Sequence, residues 1–517
     1  MKKFTAVLAL LLLLTGCGTP ASELSPTPEV SAPPSFSQPS GVYADWSRLA
    51  KPAVPEKVGT RLSEGALTEL TPSDSYGPLV PYVGGVVMAE EYGLQQYQYG
   101  LVTLDGCVVL DPVLDNASVI TNGSRYALLL SRRSGSEENT EERYALCASD
   151  GSWCTDFLYS SIYLNNDGYI NLFDIRYDAD GNYIGDIDHA CIMDFDGNVV
   201  LNLSDIRPEV DLGDYRNDPD FQYDFMNLSE GFARVSLEDG RTVFMDYNGK
   251  LLQSDEFNGY FASAYAFVDG IACVQPQWGG PWGVIDSSGK WVLRPEYTDM
   301  SFMDGGGLIA TCADGRKLLF STKGEQLADL SGVDAPTAYK LNKGYLITDW
   351  SSDTIKGYDV QLNDLGLLEY PDVYEGRAVF KTVRAGQNGF VIYDGEEQIF
   401  VEGDYTQLEQ YGGYITAVTA DGEGALFSLD GEVLASLSGC EYGVYTVQDY
   451  ATDTVYLAGW SGNNVTLVGM DGKAIVYPGG IGSGIIQGCY SLVDETGASV
   501  VNMDGTCIFR TSIDFTD

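Results

Sequence analysis

The chain has 517 residues and a formal net charge of −45, from 29 Lys and Arg against 74 Asp and Glu. A field of that sign repels phosphate backbones and anionic lipid surfaces, which argues against nucleic-acid binding. Hydrophobic residues at 44% and aromatics at 12% exclude wholesale disorder, while 60 Gly and 34 Tyr suit many short strands joined by tight turns.

Taken in chain order, Met1-Lys2-Lys3 is a positive segment followed by an apolar run from Phe4 to Leu14. The run falls short of the roughly 20 residues a membrane-spanning helix needs, and its length is that of a signal-peptide core. Leu14-Thr15-Gly16-Cys17 follows at once and resembles the lipobox of bacterial lipoproteins. The resemblance implies cleavage after Gly16 and a diacylglycerol on the Cys17 thiol. Residues 1–16 are then a signal peptide, and the rest is expected to be extracytoplasmic and anchored to a bacterial membrane through Cys17. Residues 17–43 are dense in Ser, Pro and Thr and cannot bury enough apolar surface to fold, so they read as a flexible spacer. Residues 44–75 are transitional.

From residue 76 to 517 the chain is periodic. Gly283 precedes Gly289 by six residues with Val284-Ile285 between them, and the same spacing joins Gly100 to Gly106 and Gly389 to Gly395. Turns of this type recur at Asp150-Gly151, Asp196-Gly197, Asn248-Gly249, Lys323-Gly324, Asp430-Gly431, Asp471-Gly472 and Asp504-Gly505. Intervals between turn glycines run 40 (249 to 289), 35 (289 to 324), 36 (395 to 431), 41 (431 to 472) and 33 (472 to 505). The 71-residue interval from 324 to 395 holds a degenerate unit, expected to turn near Asn363-Asp364-Leu365-Gly366. Between turns lies a second half-motif, an acidic residue and Gly leading an apolar strand, as in Glu230-Gly231, Asp269-Gly270 and Glu375-Gly376. The unit therefore reads as strand, hairpin, strand, a connecting loop with Tyr or Phe, then a Gly-led strand. No stretch sustains a 3.6-residue apolar period, so long helices are not expected.

Trp282-Gly283-Val284-Ile285-Asp286-Ser287-Ser288-Gly289-Lys290, with Pro295-Glu296-Tyr297, Phe302 and Gly307, is similar to the WG-containing repeat. The likeness is close over about 278–312 and partial over 231–277 and 385–420. It implies architecture more than activity. One unit cannot bury its apolar faces alone, so units must stack. The expected fold is all-β, an array of short antiparallel sheets arranged as a β-propeller, in one ring or two, with an open β-solenoid as the alternative.

Chemistry is sparsely signalled. The single His189 rules out a His-based triad or zinc site built from several histidines. Nine cysteines besides Cys17 are scattered without paired CxxC spacing; their odd number leaves at least one thiol free, and no disulfide framework is indicated. Asp178, Asp180, Asn182, Asp186 and Asp188 alternate oxygen donors around Gly181, a pattern that can wrap calcium and also that of an ordinary acidic hairpin. No other cofactor is implied. Trp278, Trp282 and Trp291 present either an aromatic platform for a ligand or packing between units. These readings converge on a membrane-tethered, non-catalytic binding or scaffold module for a protein or glycan. The alternative is an extracytoplasmic polysaccharide hydrolase using paired carboxylates.

Overall fold

Asp286 and Gly289 set the local geometry from which the fold is built. In the computed structural model, the Asp286 N–H donates to the Lys290 carbonyl at 2.9 Å, and the Gly289 N–H donates to the Asp286 carbonyl at 2.9 Å. This is a three-residue hairpin loop closed by a glycine bulge, and it needs a left-handed residue at one position only. Of the Ser288-Gly289 pair, Gly289 alone has positive φ, at 76°. The Asp286 carboxylate completes the loop by accepting from the N–H groups of Ser288 at 2.9 Å and Lys290 at 3.0 Å. Asp194, Asp246, Asn165 and Asn502 repeat that arrangement, while Ser321 and Ser428 perform it with a hydroxyl.

The acidic-Gly half-motif is a second, different hairpin. Ser229 and Phe232 exchange both backbone hydrogen bonds, as do Val268 and Ile271. Glu230 (φ 54°) with Gly231 (φ 81°), and Asp269 (φ 52°) with Gly270 (φ 81°), are both left-handed, as a two-residue type I′ turn requires. The Gly-led strand therefore starts from a tight turn, and what precedes it is itself extended. The connecting segment expected as a loop forms a strand at Asp299–Met303 and again at Tyr405–Tyr411. Most units are four-stranded as a result.

The structure describes residues 42–43 and 76–513, apart from 90–93, 124, 137–138, 178–182, 207, 209–223, 304–306, 352–354, 375, 412, 442, 453, 463, 479–484 and 495–496. These residues lie in one compact unit, Phe36–Asp517. Their strands make nine hydrogen-bonded sheets, two of which fuse neighbouring meanders, so that eleven meanders follow one another. They cover 79–114, 116–148, 161–202, 232–261, 263–297, 299–329, 336–368, 369–402, 405–437, 444–478 and 485–511. A further strand, Val42–Tyr43, pairs in parallel with Ala474–Pro478 of the tenth.

Both faces of the inner strands are covered, which explains why they read as unbroken apolar runs without alternation. Ile271–Gln275, Trp282–Asp286 and Gly307–Thr311 are each buried over their first four residues. Each interior cluster joins one meander to the next. Phe244, Phe261 and Phe267 of the fourth and fifth meanders meet Ala272, Val274 and Ile285 of the fifth. Trp282 and Val284 of the fifth meet Leu308 and Phe320 of the sixth. The series closes on itself. Val80, Tyr82 and Val102 of the first meander pack on Cys489, Val500 and Phe509 of the eleventh, with the Tyr82 and Phe509 rings 4.6 Å apart. Radial stacking with first-on-last closure is the architecture of a propeller and not of an open solenoid.

The degenerate unit turns earlier than expected. Asp359 and Asn363 close the hairpin, with the Leu362 N–H donating to the Asp359 carbonyl at 2.9 Å. Leu362 takes the left-handed position at φ 63°, where the other turns have glycine. A non-glycine residue there is uncommon, and its substitution removed the signal that marks every other turn.

Candidate binding surfaces

The type I′ turns gather carboxylates that reach from one meander to the next. Asp167 accepts from the N–H groups of Glu230 and Gly231 at 2.5 and 2.9 Å and from the Tyr247 hydroxyl at 3.0 Å. Glu230 accepts from the Gly270 N–H at 2.7 Å; Asp269 instead pairs with the Lys340 ammonium of the seventh meander at 2.9 Å, outside this pattern. Asp449, 1% exposed, caps the last turn by accepting from Gln487 and Gly488 at 3.0 and 2.7 Å. A type I′ turn leaves its outward N–H groups without partners in its own ladder, and a carboxylate from the preceding unit satisfies them. These acids hold the units in register.

The exposed surface differs where the seventh and eighth meanders share the strand Asp364–Tyr374. Pro371, which has no N–H for the ladder, falls at the register break between Glu369 and Asp372. On one side of that break lies a cleft of about 420 Å³, lined by Leu365, Leu367, Lys381, Val383, Arg384 and Asp404 among others. Leu367 is 53% and Val383 62% exposed, an apolar pair on a sheet face open to solvent. Glu369 and Lys381, 2.8 Å apart, edge the pair on one side. Asn388 donates to Asp404, and the Arg384 guanidinium lies 5.7 Å from the Phe400 ring centre, edging it on the other. Burial holds the Arg384 guanidinium below its ordinary pKa. Exposed apolar residues bounded by polar ones make this the candidate site on the described surface. Nothing in the sequence flagged it, because its walls come from strands that the sequence assigns to separate units.

The sequence-predicted residues are dispersed. Cys17, Asp178, Asp180 and Asn182 lie outside the described residues, as do the side chains of Asp186 and Asp188. His189 falls in the register break between Asp186 and Cys191 and is half-buried. Among the described residues no group of three or more His, Cys, Asp or Glu is gathered as a metal would need. Trp282 is 9% exposed and stacks on Tyr265 at 5.4 Å, and Trp291 packs edge-on against Phe257 at 6.1 Å. Trp278 is 70% exposed and lies over the turn at Gly240 of the preceding meander.

The glycine after Trp282 has a physical reason of its own. A Cβ on Gly283 would stand 2.8 Å from the Leu293 carbonyl oxygen and 2.9 Å from the Trp291 ring. Gly389 is covered in the same way by the Val401 carbonyl and the Phe400 ring, and Gly100 by the Leu110 carbonyl and the Tyr82 ring. An aromatic ring crossing over a bare backbone is thus what the Trp-Gly position preserves, even where the Trp itself is Tyr99 or Asn388.

Fold and surface together define a propeller-like β-repeat protein, a class whose architecture fits a binding or scaffold module. Residues 282–316 match the family model described as WG containing repeat. The matched stretch runs from the third strand of the fifth meander to the second hairpin of the sixth, so sequence repeat and structural sheet are offset. No curated protein matches the chain. Among solved structures, the chain is similar to a eukaryotic initiation factor at 13% identity, covering 70% of this chain and 96% of that one, with a TM-score of 0.35. It is also similar to BamB from Moraxella catarrhalis (15% identity, 48% and 80% covered, TM-score 0.21) and Hsv2 from Kluyveromyces lactis (9% identity, 47% and 94% covered, TM-score 0.22).

Proposed function

We propose that this protein is a lipid-anchored extracytoplasmic binding module, tethered through Cys17, that holds a protein or glycan ligand without transforming it. The observation that supports ligand binding is the cleft beside Asp364–Tyr374, where Leu367 and Val383, 53% and 62% exposed, lie together on one sheet face. Apolar side chains flanked by a Glu369–Lys381 pair and by Asp404 offer contact area with fixed polar edges, which is how a surface selects an extended ligand. The anchor rests on the lipobox-like Leu14-Thr15-Gly16-Cys17 and the Ser/Pro/Thr-dense segment after it.

Two measurements test the parts separately. A labelled fatty acid is expected to enter the wild-type protein and not Cys17→Ser; equal labelling of both defeats the anchor. Immobilised protein is expected to retain a component of isolated cell-wall polysaccharide or of detergent-solubilised envelope protein. Retention should fall at least tenfold in Leu367→Ser/Val383→Ser, and unchanged retention defeats the cleft as the binding site.

A further inference from the structure

We infer that Cys147 and Cys154 form a disulfide that staples the outer edge of the second meander. The strand Asn139–Ala148 is the last regular strand of that meander, and the segment after it turns back alongside. Only two isolated bridges, Tyr144 with Tyr159 and Cys147 with Cys154, hold the returning segment in antiparallel pairing. Flanking the cysteines, the Ala148 N–H donates to the Trp153 carbonyl and the Thr155 N–H donates to the Leu146 carbonyl, both at 2.8 Å. That pattern makes Cys147 and Cys154 a non-hydrogen-bonded antiparallel pair. In such pairs the Cα atoms lie about 4.5 Å apart and the two side chains leave the same face. Disulfides require a Cα separation of about 4.4–6.8 Å, so the pair needs no backbone movement to close.

The two side chains also share surroundings. Cys147 is wholly buried, and Cys154 packs on the same apolar cluster, beside Leu128, Leu130 and Ala145. The Cys154 thiol is held well above its ordinary pKa, first by its hydrogen bond with Cys147 and then by burial. Among the nine described cysteines, only these two are cross-strand partners. The returning segment has work to do, since the Trp153 ring covers Gly197 of the third meander. A covalent link here would fix a strand that few backbone bonds hold, at a junction between meanders.

Oxidation proceeds by thiol–disulfide exchange with a small disulfide as oxidant. The Cys154 thiolate attacks one sulfur of the oxidant and displaces its first thiol, leaving a mixed disulfide. The Cys147 thiolate then attacks the Cys154 sulfur and displaces the second thiol. Two cysteine hydrogens are transferred to the two released thiols, and the oxidant is reduced by two electrons. The inference concerns the pair's geometry and does not depend on where the protein resides.

The test uses the full chain incubated with oxidised glutathione in mildly alkaline buffer, then unfolded and alkylated without reductant. The expected result is modification of seven of the nine cysteines between Cys107 and Cys507, with a linked peptide pair containing Cys147 and Cys154 and a mass lower by two hydrogens. Reduction before alkylation should restore modification of all nine. Modification of all nine without reduction, or linkage of Cys147 to any other cysteine, would overturn the inference. A Cys147→Ser/Cys154→Ser variant, purified in parallel, should show no change between oxidised and reduced samples. A second linked pair appearing in that variant would show that the exchange is unspecific and would likewise count against the assignment.

Discussion

Replacing Asp449 by Asn tests the idea that carboxylates latch successive turns. One carboxylate oxygen accepts from Ala451 and Gln487, each at 3.0 Å, and the other accepts from Gly488 at 2.7 Å. Asn is nearly isosteric, yet only one of its two terminal atoms can accept. If its carbonyl keeps the first pair, its amide meets the Gly488 N–H donor to donor. The loss comprises one charge-assisted hydrogen bond and one buried N–H left unmatched, together about 2–4 kcal/mol. Gln487 and Gly488 are both left-handed, at φ 54° and 66°, so the turn has little else to hold it. At roughly tenfold per 1.4 kcal/mol, native-state amide exchange at Gln487 and Gly488 should accelerate about 30- to 700-fold. Hydrogen exchange read by mass spectrometry on peptides spanning 485–490 measures this directly. Asp471→Asn is the control, because that carboxylate is half exposed and pairs with its neighbour Lys473, and it should change exchange less than about threefold. Equal protection in wild type and Asp449→Asn would refute the latch.

Other substitutions probe the remaining supports. Gly283→Ala drives a Cβ against the Leu293 carbonyl and the Pro295 nitrogen, and should destabilise by about 1–3 kcal/mol in urea unfolding, whereas Gly332→Ala, with open space around it, should stay within about 0.5 kcal/mol. Asp174 is fully buried and pairs with Arg143 across the second and third meanders, so Asp174→Ala strands a buried cation and should cost about 3–5 kcal/mol by the same assay. For Asp394, burial raises the carboxyl pKa, but hydrogen bonds from Lys343 and from the Glu397 and Glu396 N–H groups outweigh it and hold the value down to about 2. A depressed folded value means stability present above the unfolded pKa of 3.8 and lost as pH falls towards 2. The stability difference between wild type and Asp394→Asn should therefore be constant near neutral pH and shrink between about pH 4 and 2. A difference that persists unchanged at the acid end would contradict the assignment.

Much of the architecture was legible because one residue type carries it. The turn glycines Gly106, Gly151, Gly197, Gly249, Gly289, Gly324, Gly395, Gly431, Gly472 and Gly505 all have positive φ, as their spacing implies. At Leu362 that mark is missing, and the nearest glycine, Gly366, lies four residues past the turn position. The outer strand Asp299–Met303 is not legible, since it lacks the apolar run that marks an inner strand, whereas Trp291–Tyr297 forms the strand expected after the hairpin. Packing of Val80 and Tyr82 on Phe509 joins residues at opposite ends of the array, and no local pattern encodes that. The Leu367–Val383 cleft depends on the strand Asp364–Tyr374 continuing through Pro371 with a register shift, which no local pattern encodes. The Trp residues were visible but ambiguous: packing decides for Trp282 and Trp291, and solvent exposure separates Trp278 from them.

The most direct test of the binding account is a photo-crosslinking residue at Val383, in protein displayed on cells, with Val433 as an exposed control outside the cleft. The account predicts one dominant adduct from position 383, absent from position 433 and abolished when Leu367 is changed to Asp. Identical adducts from both positions, or an adduct at 383 indifferent to Leu367→Asp, would contradict it.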